Sequence, residues 1–164
     1  MFYRYSVKKI IIDHLKSFYI HGQTRIDIAS ILFYFVFPAI LTVITKLFII
    51  SLDTGLINIL ITSVSIFGAL LFNYPVILYS ILEKQVEKNE QKNKILKETL
   101  ANVSFCIILS ITLVILLILI NCSFNYFIIN ILTTFVLYFL YIFLLTLFMV
   151  IKRIYNLLDY EFNK

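Results

Sequence analysis

Small and polar side chains recur at helical spacing within an otherwise apolar stretch. This stripe consists of Asn58, Thr62, Ser65 and Ala69, at i, i+4, i+7 and i+11, with Gly68 and Asn73 close by. Residues at this spacing share one face of a helix. Their hydroxyl and amide groups can form an interface with another helix, within or between subunits, or they can line a water-filled path. The residues alone do not decide between an interface and a path.

One cation, Lys46, also lies inside an apolar run. Ionisable residues within a membrane span are candidates for function. Lys46 is close to the end of its run, however, so its long side chain could reach the headgroup region. The sequence also allows a ring of lysines at the external mouth of a pore, or an ion pair with Asp53.

The sequence lacks the usual signatures of catalysis and of ion-coupled transport. None of the four long apolar runs contains a carboxylate, which proton- or sodium-coupled transporters normally need near mid-membrane. His14 and His21 stand apart from any nucleophile. Cys106 and Cys122 are expected on one helix about 24 Å apart, too far for a disulfide. We therefore expect no enzymatic activity, no cofactor and no metal.

These residues are set in a chain that is 62% hydrophobic, with a mean hydropathy of +0.99. Four apolar runs, 28–52, 56–82, 100–120 and 126–151, are each long enough to cross a bilayer as a helix. Lipid cannot hydrogen-bond an exposed backbone, so helices are expected rather than open strands. The sequence predicts an all-α membrane protein with four transmembrane helices in two antiparallel hairpins.

The basic residues predict the orientation of these spans. Five Lys/Arg precede the first span, five lie between the second and third, and three follow the fourth; the remaining one, among 14, is Lys46. Cytoplasmic loops carry an excess of Lys and Arg. We therefore expect both termini in the cytoplasm and, because the composition is typical of an AT-rich bacterial genome, a location in the bacterial inner membrane.

Three segments flank the spans. Segment 1–27 mixes apolar and basic residues and predicts an amphipathic helix at the headgroup level, or one that packs on a cytoplasmic partner. Its candidate regulatory or lipid-contact residues are Lys8, Lys9, Lys16 and Arg25. Segment 83–99 has no Gly or Pro and pairs opposite charges, which predicts a cytoplasmic helical hairpin extending the second and third spans, or a solvated charged loop. Segment 152–164 is expected to be a cytoplasmic tail.

Three stretches carry a resemblance: LINILITSVSIFGALLFNYPVILYSILEK, LKETLANVSFCIILSITLVILLILI and LFMVIKRIYNLLDYEF. Over residues 28–158 the chain resembles small four-span membrane proteins of bacterial anti-phage defence, such as the membrane components of the Hailong and Kiwa systems. The resemblance implies an oligomeric membrane assembly that depolarises or otherwise stops the infected cell. It also implies control by a cytoplasmic regulatory protein or by a nucleotide or oligonucleotide ligand.

The leading hypothesis is thus a homo-oligomeric effector that forms an ion-permeable pore and is gated from its cytoplasmic face. A second hypothesis is a non-conducting membrane anchor or sensor scaffold that recruits a soluble effector. A third is a holin-like phage protein. Four spans are too few for a solute path within one subunit, so conduction requires several copies. The expected partners are the lipid bilayer and a cytoplasmic regulatory protein or ligand. We do not expect the protein to recognise double-stranded DNA directly.

Overall fold

A computed structural model describes residues 7–17, 28–48, 52–83, 90–122 and 125–162. These residues form five helices and contain no strand. The helices are α1 (Val7–Lys16), α2 (Ile28–Phe48), α3 (Thr54–Glu83), α4 (Glu90–Cys122) and α5 (Tyr126–Phe162). The all-helical prediction is confirmed.

Four of the helices are long and apolar enough to cross a bilayer. Their candidate spans are Ser30–Phe48, Thr54–Leu78, Ile95–Cys122 and Tyr126–Asn156. Each overlaps one of the four apolar runs identified in the sequence, because apolar side chains on every face suit a helix surrounded by lipid and other helices. The fold is that of a multi-pass membrane protein. Which end faces the cytoplasm stays a prediction.

The most extensive contacts join α3 to α4, α4 to α5, and α2 to α5, while α1 packs on α4. Tyr34 of α2 bonds to Thr146 of α5, and Lys46, farther along α2, bonds to Asn130, earlier in α5. These two helices therefore run in opposite directions. The expected pairing of the first two spans is not among the extensive contacts; Tyr34, Thr45 and Lys46 of α2 bond to α5.

The central helix of the bundle is α4. In its apolar stretch 44% of the residues are buried, against 17% in α2 and in α3. The core between α4 and α5 contains Leu113, Leu117, Val136 and Phe143, all almost fully buried. Hence α4 and α5 form the interior of the single chain, whereas α2 and α3 pack at its sides and leave more of their surface uncovered.

Side chains just before α3 and α5 explain where these helices begin. Asp53 Oδ2 accepts a hydrogen bond from Gly55 N at 3.3 Å, and Asn125 Oδ1 accepts one from Phe127 N at 3.0 Å. Asp and Asn are favoured at this position because they satisfy amide groups that have no partner in the helix. At its other end α5 continues through Phe162, so the segment expected as a tail is helical as far as that residue.

Candidate functional site

The polar stripe of α3 lies on the surface of the single chain. Its exposed members are Asn58, Thr62, Ser65, Ala69 and Asn73. From the first to the last, the stripe extends about 22 Å along the helix, most of the thickness of a bilayer core. The opposite side of α3 buries Ile57, Val64 and Leu78. The structure therefore places the stripe away from the core of the chain.

Within the stripe, the hydroxyl and amide groups differ in how they are satisfied. Thr62 Oγ1 donates to the carbonyl of Asn58 at 2.9 Å, one turn earlier. The side-chain amides of Asn58 and Asn73 have no hydrogen-bond partner among the described residues. An amide facing hydrocarbon without a partner is unfavourable by about 2 kcal/mol or more. These two amides therefore require water or another protein surface.

Gly68, predicted with the stripe, lies instead at the contact between α3 and α4. It is buried, and a Cβ placed on it would be 2.6 Å from Ser110 Oγ and 3.3 Å from Ser110 Cβ. Because glycine has no side chain, the two helices can approach closely here. Gly68 is thus a packing residue within the chain, whereas its neighbours Ala69 and Ser65 face outward.

In the other spans most polar side chains face neighbouring helices. Buried examples are Thr42, Thr99, Asn102, Ser110, Thr133 and Thr146. Tyr34 and Thr146 share a hydrogen bond, and Thr45 Oγ1 lies 2.6 Å from the hydroxyl of Tyr141. These polar groups join α2 to α5 inside the chain. The stripe of α3 has no such neighbour among the described residues, which sets it apart as a candidate interaction surface.

Lys46 connects α2 to α5 near the end of the bundle remote from α1. Its Nζ donates to the backbone carbonyl of Asn130 at 3.0 Å and also contacts the side-chain oxygen of Asn130. Neither interaction involves Asp53, the partner that the sequence allowed. The cation is partly exposed. A ring of Lys46 side chains at the external mouth of a pore stays a prediction.

A second group of polar residues fixes α1 to the bundle. His14 Nδ1 donates to Asn102 Oδ1 at 2.8 Å, and both side chains are almost completely buried. Ser17 Oγ lies 2.6 Å from the carbonyl of His14 and 3.0 Å from Asn102 Oδ1. The imidazole ring also stacks on Phe105, with centroids 4.0 Å apart. This cluster attaches α1 to α4 at the start of the third span.

Arg153 of α5 extends this network. Its Nη1 donates to Glu98 Oε2 at 2.8 Å, and its Nη2 donates to the carbonyl of Ser17 at 2.9 Å. One guanidinium group therefore joins the end of α1 to α4 and α5. Such forked, charge-assisted hydrogen bonds are stronger than neutral ones and fix the geometry of both partners. The end of α1 is thus held by hydrogen bonds as well as by apolar packing.

Burial lowers the pKa of His14 from its usual 6.5 to about 4. The hydrogen bond to Asn102 opposes this shift, while the positive charge of Arg153 adds to it. A buried imidazolium is unfavourable because it loses its hydration. His14 is therefore neutral near pH 7, carries its proton on Nδ1 and donates it to Asn102.

The predicted regulatory cations occupy the outer side of α1. Lys8, Lys9 and Lys16 are exposed, while Arg25 lies outside the described residues. The buried side of the same helix was not predicted, because His14 was expected to be isolated. In the sequence, His14 and Ser17 are three residues apart on the predicted amphipathic helix, and this spacing places both on one face of it. Nothing in the sequence indicates that Asn102 is their partner.

In comparisons with known proteins, no family model, no curated protein and no solved structure matches this chain. The resemblance to membrane proteins of anti-phage defence therefore stays an expectation. Two features of the structure are candidates for function: the outward polar stripe on α3 and the buried polar network beneath α1.

Proposed function

We propose that several copies of this protein assemble in the membrane around a water-filled path lined by the α3 stripe. The observation that carries this proposal is the outward position of Asn58, Thr62, Ser65, Ala69 and Asn73 on an otherwise apolar helix. Polar side chains placed along most of a span gain from contact with water. Around a closed ring of subunits, the same stripe would meet itself and enclose water.

The distribution of polar groups in the rest of the chain supports the proposal. Most polar side chains of α2, α4 and α5 are satisfied inside the chain, so the bundle does not need the α3 stripe for its own packing. Apolar helices gain little by associating in lipid unless small or polar residues meet. The stripe supplies such residues on the surface, which favours association through α3.

In the cell, such a pore would dissipate ion gradients across the bacterial inner membrane. Loss of these gradients would stop the cell, and the chain resembles four-span membrane proteins of anti-phage defence. We therefore favour a membrane effector of such a defence system. Gating would come from the cytoplasmic face, through a partner protein or a nucleotide signal. The exposed lysines of α1 and the network around Arg153 are at the end of the bundle that the charge distribution assigns to the cytoplasm.

The chain offers a matched pair of residues for testing whether the α3 stripe lines a water-filled path. Thr62 on α3 and Thr134 on α5 are both exposed, and each donates its hydroxyl hydrogen to the carbonyl four residues earlier. We expect Thr62→Leu to abolish ion flux in liposomes, because an apolar constriction excludes water from a pore. Thr134→Leu, which removes the same group elsewhere, should leave the flux unchanged. Thr62→Ser keeps the hydroxyl and should conduct.

Oligomer formation has to be measured in the same samples. Ser65→Leu places a larger apolar group in the stripe and should lower the mass of the complex in detergent, whereas Thr134→Leu should not. An intact Thr62→Leu oligomer that no longer conducts supports the pore. A wild-type oligomer that passes no ions under any activating condition, including removal of its partner, would refute the pore and favour the non-conducting scaffold.

A further inference from the structure

A cavity of about 290 Å³ opens where α1, α4 and α5 meet. Its polar lining consists of Ser17, Glu98, Lys152, Arg153 and Asn156. Its apolar lining consists of Ile95 and Met149. The cavity is thus lined by polar groups beside an apolar wall, at the end of the bundle that carries the exposed lysines of α1.

The depth of this cavity coincides with the boundary of the candidate spans. Ile95 begins the third span and Asn156 ends the fourth. The two spans contain 28 and 31 residues, more than the hydrocarbon core requires, so these ends lie at the level of the headgroups. A polar ligand in the cavity would therefore lie at the depth of lipid phosphates, with Met149, one turn before Arg153 on α5, on the side of the hydrocarbon.

The charges of the cavity favour an anion. Arg153 and Glu98 form an ion pair at 2.8 Å and largely compensate each other. Lys152 is exposed and makes no ion pair with any described residue, so it leaves one positive charge uncompensated. The exposed amide of Asn156 adds a donor without charge. Lysine ammonium and neutral N–H groups are common ligands of phosphate oxygens.

We propose that this cavity binds a phosphate group, with Lys152 and Asn156 as its principal ligands beside the Arg153–Glu98 ion pair. The phosphodiester of an anionic phospholipid fits the depth and the apolar wall. A soluble phosphate ester would use the same donors from the aqueous side. Because Arg153 also bonds the carbonyl of Ser17, an occupied site is adjacent to the end of α1. The proposal does not depend on conduction.

The test compares two lysines at the same end of the bundle. Lys152 lines the cavity, whereas Lys97 is exposed on α4 outside it. Wild type, Lys152→Gln and Lys97→Gln are placed in phosphatidylcholine nanodiscs containing phosphatidylglycerol, and the retained lipid is counted by native mass spectrometry. Removing one charge-assisted hydrogen bond should weaken phosphatidylglycerol binding about tenfold in Lys152→Gln. Lys97→Gln should bind as wild type does, and Lys152→Arg should recover binding.

A parallel experiment identifies the source of the phosphate. Inorganic phosphate is titrated into protein in pure phosphatidylcholine, and binding is followed by calorimetry. Lys152-dependent retention of phosphatidylglycerol assigns the site to lipid, and Lys152-dependent binding of inorganic phosphate assigns it to a soluble ester. Equal losses in the two lysine variants would overturn the proposal, because they indicate general attraction to a basic surface. Absence of both kinds of binding would overturn it too. Asn156→Leu supplies a second variant and should weaken binding without removing a charge.

Discussion

Gly68 and Ser110 bring α3 and α4 so close that a methyl group on the glycine would lie 2.6 Å from the serine oxygen. This contact lies on the side of α3 that faces the interior. Ser65 and Ala69 lie on the outer side. The close approach of the two helices and the outward stripe are therefore two consequences of one packing arrangement.

Replacing this glycine tests the contact directly. Gly68→Ala should destabilise the protein by about 1–3 kcal/mol, because the added methyl group overpacks the interface. Ser110→Ala removes the oxygen at 2.6 Å and leaves the Cβ at 3.3 Å, so the double variant should recover part of the loss. Thermal unfolding in detergent measures both effects. If Gly68→Ala destabilises the protein equally with and without the Ser110 hydroxyl, the two residues are not in contact.

Acid should weaken the attachment of α1. His14 has a pKa of about 4 in the folded protein and a usual value of 6.5, so the unfolded chain binds the proton more readily. The stabilising contribution of the neutral imidazole is complete above pH 6.5. It is lost as the pH falls from 6.5 to about 4 and amounts to roughly 3 kcal/mol.

Unfolding in detergent across this pH range, with hydrogen exchange on α1, measures the effect. His14→Gln cannot titrate and should remove most of the pH dependence between pH 6.5 and about 4. His21→Gln, at the second histidine of the chain, is the control and should retain it. If both variants keep the wild-type pH profile, the pH dependence of stability comes from the carboxylates and not from the buried His14.

The native cysteines offer a test of orientation. Cys122 is exposed at the end of α4, and Cys106 is buried within it. The distribution of Lys and Arg predicts that the end of α4 faces the outside. A membrane-impermeant maleimide should therefore label intact cells, and Cys122→Ser should abolish the labelling.

An inverted protein would give the opposite pattern in this experiment. Cys122 would then react only after the cells are permeabilised. In a Cys122→Ser background, Asp53→Cys should be reached from outside, while Lys8→Cys and Glu90→Cys should be protected. Labelling of Glu90→Cys in intact cells would contradict the predicted topology, even if the four spans themselves are retained.

The sequence contains enough information to place the spans. A long run of apolar residues has few alternatives to a membrane helix, because an unpaired backbone is so unfavourable in lipid. The apolar run 56–82 accordingly corresponds to α3, which extends from Thr54 to Glu83. The helix α5 extends beyond the predicted span 126–151, because the charged residues after Ile151 continue it to Phe162.

The sequence does not show which polar stripe is covered. Thr99, Asn102, Cys106 and Ser110 follow helical spacing on α4 much as Asn58, Thr62, Ser65 and Ala69 do on α3. The structure buries the first set and exposes the second. Periodicity assigns residues to one face of a helix but says nothing about the neighbour of that face. That information depends on contacts between distant parts of the chain, such as His14 with Asn102.

The most direct test of the proposed pore is whether water reaches the α3 stripe in the assembled protein. Asn58→Cys, Thr62→Cys and Ser65→Cys are introduced into a Cys122→Ser background, and a charged thiol reagent is applied during recording in planar bilayers. Phe67→Cys, at an exposed apolar position on the other face of α3, is the control. We predict that the reagent alters the current through the three stripe variants and leaves Phe67→Cys unchanged. A conducting protein in which all three stripe cysteines resist the reagent would contradict the proposal that this stripe lines the pore.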